Sequence, residues 1–313
     1  MPKKYTIADW LVHGGHQYEF FKTGHNFFCT NPDGSKPDPK SLGRPVSKNV
    51  NYTKQVALRE KKVNIIMIRA GQVGQPAYNR LRKKYIYNNP VGIAVMQTFK
   101  PYPVPPWTRC IVWNSEYCMI KHRSEFPKQK HFYIPHGFDP SEFTLLNLPR
   151  NGKMLAAGSL FKQRHKVLGY NEWRWVATQL KGKSRLIGHG NEDEPESIGC
   201  FELKNLVKIY NKYSVFLNTT THSAMPRTRA EAMMCGMPIV STINYGIDKY
   251  LVGGKNCIAA NSKEGMLNGV RQILSSKSMQ EDFSSQSREA AIKYFHINDY
   301  LARWESVFEE ALR

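Results

Sequence analysis

Short apolar runs alternate with helix-length segments along the whole of this 313-residue chain. That alternation limits the possible folds more than any other feature. In the first half the runs are Ile7–Val12, Asn26–Thr30, Val63–Arg69, Val91–Gln97, Cys110–Asn114 and His131–Ile134. They are β-branched or aromatic and bounded by Gly, Pro or Asn, as strands are. Gln17–Lys22 and Pro76–Tyr87 read as helices between them. In the second half Met154–Ala157, Ser184–Ile187, Val215–Asn218, Ile239–Ser241 and Cys257–Ala259 read as strands. Trp173–Lys181, Lys204–Lys212, Arg229–Cys235 and Lys263–Ser275 read as helices, and a final helical region covers Met279–Arg313. Strand–helix alternation predicts parallel sheets in an α/β fold. Two successive sets predict two Rossmann-like domains, residues 1–148 and 149–313, in line with roughly 150 residues per domain. The last helix is a candidate to cross back to the first domain.

Two loops break the pattern. Asn31–Lys48 carries four prolines and Lys100–Trp107 another four, too many for regular structure. Long loops on an α/β scaffold often carry function.

Several classes are disfavoured. No apolar run reaches the ~18 residues of a membrane helix. The N-terminus, Met-Pro-Lys-Lys, leads into Asp9 and His13 without a signal core. The expectation is a cytoplasmic chain, in the host cytoplasm if viral. Six scattered cysteines form no C-x-x-C pair, which excludes a zinc ribbon and argues for reduced, mostly buried thiols.

Charge is the strongest compositional signal. Forty-five Lys and Arg against 25 Asp and Glu leave +20, a balance suited to nucleic acid, an acidic membrane surface or phosphorylated ligands. Residues 1–148 hold +13 of it and the remainder +7. Arg80, Arg82, Lys83 and Lys84 cluster in one predicted helix, interleaved with Tyr78, Tyr85 and Tyr87.

G-x-G-x-x-G, the P-loop, H-E-x-x-H and G-x-S-x-G are all absent. So is D-x-D, which disfavours a metal-held diphosphate. A diphosphate here falls to protein cations and helix N-termini.

The most informative stretch is Val215–Ser241, VFLNTTTHSAMPRTRAEAMMCGMPIVS. A strand ends in a Thr-rich loop, and Pro226 stands where a helix begins. Gly236 suits the helix stop, and Pro238 leads into another strand. A helix N-terminus at the strand ends of an open sheet is an anion site, and Arg227 and Arg229 add charge there.

This stretch resembles the nucleotide-sugar motif of GT-B fold, GT4-type retaining glycosyltransferases, roughly E-x7-E-A-x-A-x-G-x-P-V-[IV]. EAMMCGMPIV, from Glu231 to Val240, matches its second half. The resemblance implies two Rossmann-like domains facing a cleft. It assigns the nucleotide ribose to Glu231 and the diphosphate to the backbone around Met225, Arg227 and Thr228. The family's first Glu falls at Ser223, a departure that leaves the donor sugar to His222 or Ser223.

Other landmarks follow in family order. IPHGFDPSEF, from Ile134 to Phe143, is similar to the element that closes the first domain. LAAGSLFKQRHKVLG, from Leu155 to Gly169, resembles the diphosphate-gripping strand and loop. Ser159 occupies the family's Arg position, so Lys162, Arg164 and Lys166 are the substitutes. Lys166 has the better spacing and Arg164 the better fork geometry. LIGHGN, from Leu186 to Asn191, resembles the element beside the nucleobase, with Gly188 and Gly190 permitting close approach. The acidic run Glu192–Glu196 reads as a solvated loop. His13, Gly14 and Gly15 resemble the Gly-rich acceptor-side loop, with His16 a further contact candidate. Gln97 or Thr98 stands at the strand end where the family often has a His.

The implied reaction moves a hexose, with retention, from a nucleoside diphosphate sugar, UDP-glucose foremost, to a hydroxyl. It requires no metal and no further cofactor. No glycosidase-like carboxylate pair is evident, so charge stabilisation of the leaving diphosphate carries the chemistry. The basic first half favours DNA as acceptor. The chain would then be similar to phage enzymes that glucosylate hydroxymethylated pyrimidines such as 5-hydroxymethylcytosine. The base would be flipped out beside the proline-rich loops. The alternatives are transfer to lipid-linked or surface polysaccharide at an anionic membrane face, and a non-catalytic nucleic-acid-binding module on the same frame. A sugar-nucleotide epimerase or hydrolase is a lesser alternative.

Overall fold

The computed structural model describes residues 3–69, 74–223, 225–243 and 245–313. The chain divides into two compact units, Met1–Gly137 with Asn298–Arg313, and Phe138–Ile297. The division falls after Gly137, whereas the sequence places it after residue 148.

The first unit holds β1 (Thr6–Trp10), α1 (Gly14–Phe21), β2 (Asn26–Thr30), β3 (Val50–Tyr52), β4 (Ile65–Ile68), α2 (Gly74–Tyr85), β5 (Val91–Met96), β6 (Thr108–Trp113), α3 (Glu116–His122) and β7 (Lys130–Tyr133). Its seven strands lie in the order β3-β2-β1-β4-β5-β6-β7, and every pair is parallel. Strand β4 reads IIMI and is wholly buried. An unbroken apolar run is what a central strand covered on both faces needs.

The second unit holds β8 (Met154–Ala157), α4 (His165–Leu168), α5 (Tyr170–Gln179), β9 (Ser184–Ile187), α6 (Leu203–Lys212), β10 (Val215–Asn218), α7 (Arg227–Met234), β11 (Ile239–Ser241), β12 (Cys257–Ala259), α8 (Lys263–Ser275) and α9 (Lys277–Phe295). Its five parallel strands run β12-β11-β10-β8-β9. Met154, Trp173, Val215, Val240, Val270 and Ile273 form part of its core, all fully buried.

The final helical region is two helices. His296 adopts extended backbone between α9 and α10 (Ile297–Leu312). Phe138 N–H donates to Phe295 O at 2.8 Å, and Ile297 N–H donates to Phe138 O at 3.0 Å. This strand-like exchange interrupts the helix. Residues 298–312 of α10 pack on the first unit, where the Trp304 ring meets Phe20 at 4.6 Å. In the IPHGFD segment, a Cβ on Gly137 would stand 2.4 Å from the Tyr300 ring, so only glycine admits that approach.

Five cysteines are buried, as expected, and Cys200 is exposed. Among the described residues no helix is long and apolar enough to cross a membrane.

Candidate active site

In an open parallel sheet, ligands bind outside the carboxyl ends of the strands, where the strand order reverses. In the second unit the reversal lies between β8 and β10, because β9 flanks β8 on one side and β10 to β12 run off on the other. The loops after β8, β9 and β10 are locked together there.

Asn191 ties the first two. Its amide nitrogen donates to Gly158 O at 2.7 Å and to Gly188 O at 2.9 Å, and its carbonyl oxygen accepts from Phe161 N–H at 2.8 Å. The loops approach so closely that a Cβ on Gly188 would lie 2.2 Å from Gly158 O, and one on Gly190 would lie 2.3 Å from a Leu160 methyl. The glycines singled out in the sequence are thus required by loop–loop packing.

The loop after β10 is clasped to α4. Thr219 Oγ1 donates to Leu168 O at 2.7 Å, and the Thr221 and His222 N–H groups donate to Val167 O at 3.0 and 3.2 Å. His222 Nδ1 lies 2.9 Å from Lys166 O. The clasp brings His222 beside the backbone of Lys166, both exposed. Arg164 caps the loop end, with Nη1 3.4 Å from Ser159 O. Ser159 and Lys162 are also exposed, and Lys162 faces Asp193 at 3.5 Å.

Helix α7 begins at the same edge. Its N-cap is Pro226, with no side-chain cap, and Thr228 Oγ1 stands 3.5 Å from Ala157 O at the end of β8. Met225 and Pro226 are buried, and Ser223 is half-buried. First-turn N–H groups of such a helix are donors for an anion.

The two arginines on α7 behave differently from the sequence reading, which put both charges at the helix start. Arg229 is 1% exposed and points inward, its guanidinium 3.2 Å from Ser241 Oγ and from Tyr250 Oη. Arg227 Nε donates to Glu231 Oε1 at 2.9 Å, and its guanidinium lies over the Phe138 ring at 4.5 Å. The other Glu231 oxygen accepts from Tyr210 Oη at 3.1 Å. Glu231 is buried, its carboxylate held by these two side chains.

The acidic run is not a solvated loop throughout. Glu194 is buried and accepts from Tyr170 Oη at 2.7 Å, while Glu196 pairs with Arg174. Burial, then Glu194, pushes the Tyr170 hydroxyl up to about 12. Among the described residues, no three His, Cys, Asp or Glu side chains gather as a metal site.

The first sheet has its own reversal, between β1 and β4. The residues there are Asp9, near the end of β1, and Arg69, just after β4. Arg69 Nε donates to the two Asp9 oxygens at 3.1 and 2.9 Å, with both side chains buried. Arg69 Nη1 lies 3.5 Å from His16 Nδ1, and the His16 ring meets His136 edge-on at 5.3 Å. Burial pushes the Asp9 carboxyl up, and Arg69 opposes that. Gln17 fixes the carboxylate by donating to Asp9 Oδ2 at 3.0 Å. The sequence reading missed Asp9, Arg69 and His136. An acid inside an apolar strand and an Arg closing another were the available signals.

His13 caps α1, its Nδ1 accepting from His16 N–H at 3.3 Å, and Gly14 and Gly15 open that helix. Gln97 follows β5 and is half-buried. On α2, Arg80, Lys83 and Lys84 are exposed, whereas Arg82 turns in over the Trp107 ring at 5.2 Å. Tyr78 is a core residue, stacked on Trp10 at 4.0 Å, not a surface aromatic.

Residues 179–290 match the family model of glycosyl transferases group 1. A sequence search of curated proteins returned no match. Among solved structures, a glycosyltransferase from Rickettsia africae superposes with a TM-score of 0.71 at 14% identity, covering 99% of each chain. Sucrose-phosphate synthase from Thermosynechococcus elongatus gives 0.74 at 12% identity, over 98% of this chain and 99% of that one. Anabaena HepE, solved in complex with UDP-glucose, gives 0.71 at 12%, over 97% and 99%. The fold is that of the GT-B glycosyltransferases, and residues 179–290, within the second unit, are similar to glycosyl transferases group 1.

Proposed function

We propose that the chain transfers a hexose from UDP-hexose to a hydroxyl acceptor, with retention. The observation that carries this reading is the convergence, at the strand reversal of the second sheet, of three interlocked loops with the uncapped start of α7. The N–H groups of Arg227 and Thr228 then meet the diphosphate, with Met225 packed beneath them. Lys166 and Arg164 supply mobile charge at its rim, and Gly188 and Gly190, by letting the loops after β8 and β9 close on each other, shape the wall beside the base. As the bond between the anomeric carbon and the phosphate oxygen breaks, negative charge grows on the diphosphate. Donors already aimed at that charge lower the barrier. His222 and Ser223 face the sugar. HepE is a neighbour solved with UDP-glucose, which supports a UDP-sugar here. Turnover needs no metal, so EDTA leaves the rate unchanged.

For the acceptor we propose DNA carrying a hydroxymethylated pyrimidine, on the strength of the +20 net charge and the exposed Arg80, Lys83 and Lys84 on α2. The Asp9, Arg69 and His16 cluster and the loop at His13 border the acceptor side. The test is incubation with UDP-, GDP- and ADP-sugars, with and without hydroxymethylcytosine duplex, reading diphosphate release and nucleoside mass. A hexose gain on the base supports both halves of the reading. Diphosphate release that ignores DNA, with sugar appearing on a lipid or glycan, rejects the DNA acceptor. Absence of turnover with every donor rejects the transferase.

A further inference from the structure

The first unit has a cavity of about 810 Å³ at the amino-terminal edge of its sheet. The first residues of β5, β6 and β7 line it, together with the ends of α2 and α10. Strand β6 is six residues long, which puts this edge about 20 Å from the carboxyl ends at ~3.3 Å per residue. The cavity is therefore separate from the Asp9 and Arg69 cluster.

Its lining is strongly basic. Arg82, Arg109, Lys128, Lys130 and Arg313 face it, against the single carboxylate of Glu310. Two helix ends also point here, and each brings only about half a negative charge. Arg109 already spends one N–H on such an end, donating to Ala311 O at 3.2 Å. Lys130 and Arg313 share Glu310. After these offsets roughly three positive charges remain, more than neutralising helix ends requires.

The charge continues outside the cavity. Arg82 sits inside it on α2, and the next residue, Lys83, is exposed beside it, whereas Arg80 and Lys84, two positions either way, lie on the far side of the helix. Tyr87, just beyond, is 64% exposed. A small ligand would fill the cavity and leave this track unused. An extended chain of phosphodiesters would use both.

We propose that this edge binds the backbone of a nucleic-acid strand, with Arg82, Arg109, Lys128 and Lys130 on successive phosphates. It holds the polymer at the edge of the first sheet opposite the Asp9 and Arg69 cluster, without reading its sequence. This rests on the reading of DNA as acceptor, but its test does not require turnover.

Lys128 and Lys130 are exposed side chains, so replacing both leaves the fold intact, and thermal unfolding checks this. A short fluorescein-labelled duplex is titrated with wild type and with Lys128→Ala/Lys130→Ala over a range of salt. The variant should bind about ten-fold more weakly at low salt, and its slope of log K against log salt should fall by about two. UDP binding should not change, and Lys128→Arg/Lys130→Arg should keep the affinity. Equal affinity and slope for the alanine variant would overturn the proposal. So would binding to phosphatidylglycerol vesicles, sensitive to the same substitutions, with none to the duplex. Lysine-dependent duplex binding with no sugar reaching DNA upholds this site and removes DNA only as the acceptor.

Discussion

Arg227 Nε donates to Glu231 Oε1 at 2.9 Å, one turn along α7, with the carboxylate buried and the arginine half-buried over it. Phe138 packs its ring under the same guanidinium. The residue matched to ribose binding is thus also a structural anchor. Its carboxylate fixes the arginine that opens the helix at the proposed diphosphate site.

Removing one member of a buried pair strands the other. Glu231→Ala should therefore cost about 3 kcal/mol of stability, and raise the donor KM as well. Urea unfolding and UDP titration check the two effects separately. Arg227→Ala should cost a comparable amount. If donor KM rises for Glu231→Ala but not for Arg227→Ala, Glu231 touches the nucleotide itself. Equal rises assign both to the positioning of α7.

Lys166 and Arg164 differ in what already occupies them. Arg164 folds back to within 3.4 Å of Ser159 O, whereas the backbone of Lys166 is what the His222 clasp grips, leaving its ammonium on the exposed face. Lys166→Ala should lower kcat about 100-fold with little change in donor KM, the pattern for a charge used mainly in the transition state. Arg164→Ala should have the smaller effect. Steady-state release of UDP measures both. A Lys166→Ala enzyme with full kcat would remove that residue from the chemistry.

The glycines give a contrast in stability. Gly188 has φ +134°, and a Cβ there would meet Gly158 O at 2.2 Å. Gly182 also has positive φ, +83°, but a Cβ there meets nothing within 4 Å. Gly182→Ala should cost only the left-handed strain, about 1 kcal/mol. Gly188→Ala must in addition push two backbone loops apart. It should cost several times as much and abolish UDP binding. Thermal unfolding ranks the pair.

Legibility in the sequence followed burial. All five strands of the second unit were readable to the residue, because each is a short apolar run between turn residues. Strand β3 was missed: it has three residues, VNY, of which only Val50 is buried. Helix α3 was missed because EYCMIKH mixes polar and apolar positions, although Ser115 Oγ accepts from Cys118 N–H at its start. At the site, residue types with a motif were found, and partners brought from afar were not. Asn191 ends the LIGHGN motif, but its role as the bolt between two loops depends on Gly158, 33 residues away. Asp9 and Arg69 are 60 residues apart, and only the order of the strands makes them neighbours. Glu231 was placed in the right helix. Its engagement by Tyr210 depends on how α6 packs against α7, which no local pattern encodes.

His25 sets a pH dependence of stability. Burial, and then Lys4, holds its pKa down at about 4. Its Nδ1 accepts from Tyr5 N–H at 3.3 Å, so a second proton would break that bond. The Glu305 carboxylate, 3.1 Å from Nε2, pulls the other way. An unfolded His titrates near 6.5. Between about 6.5 and 4 the unfolded chain binds a proton that the native state refuses, so stability rises with pH across that window. Acidification from 7 to 4 should cost about 2 kcal/mol through this residue, after allowing about 1 kcal/mol for Glu305. Below 4 it contributes no further loss. Urea unfolding of wild type and His25→Gln at intervals across the window checks this. The variant should start less stable at neutral pH and show a flatter profile. Parallel profiles would mean that the native state accepts the proton and that Glu305, not burial, governs the histidine.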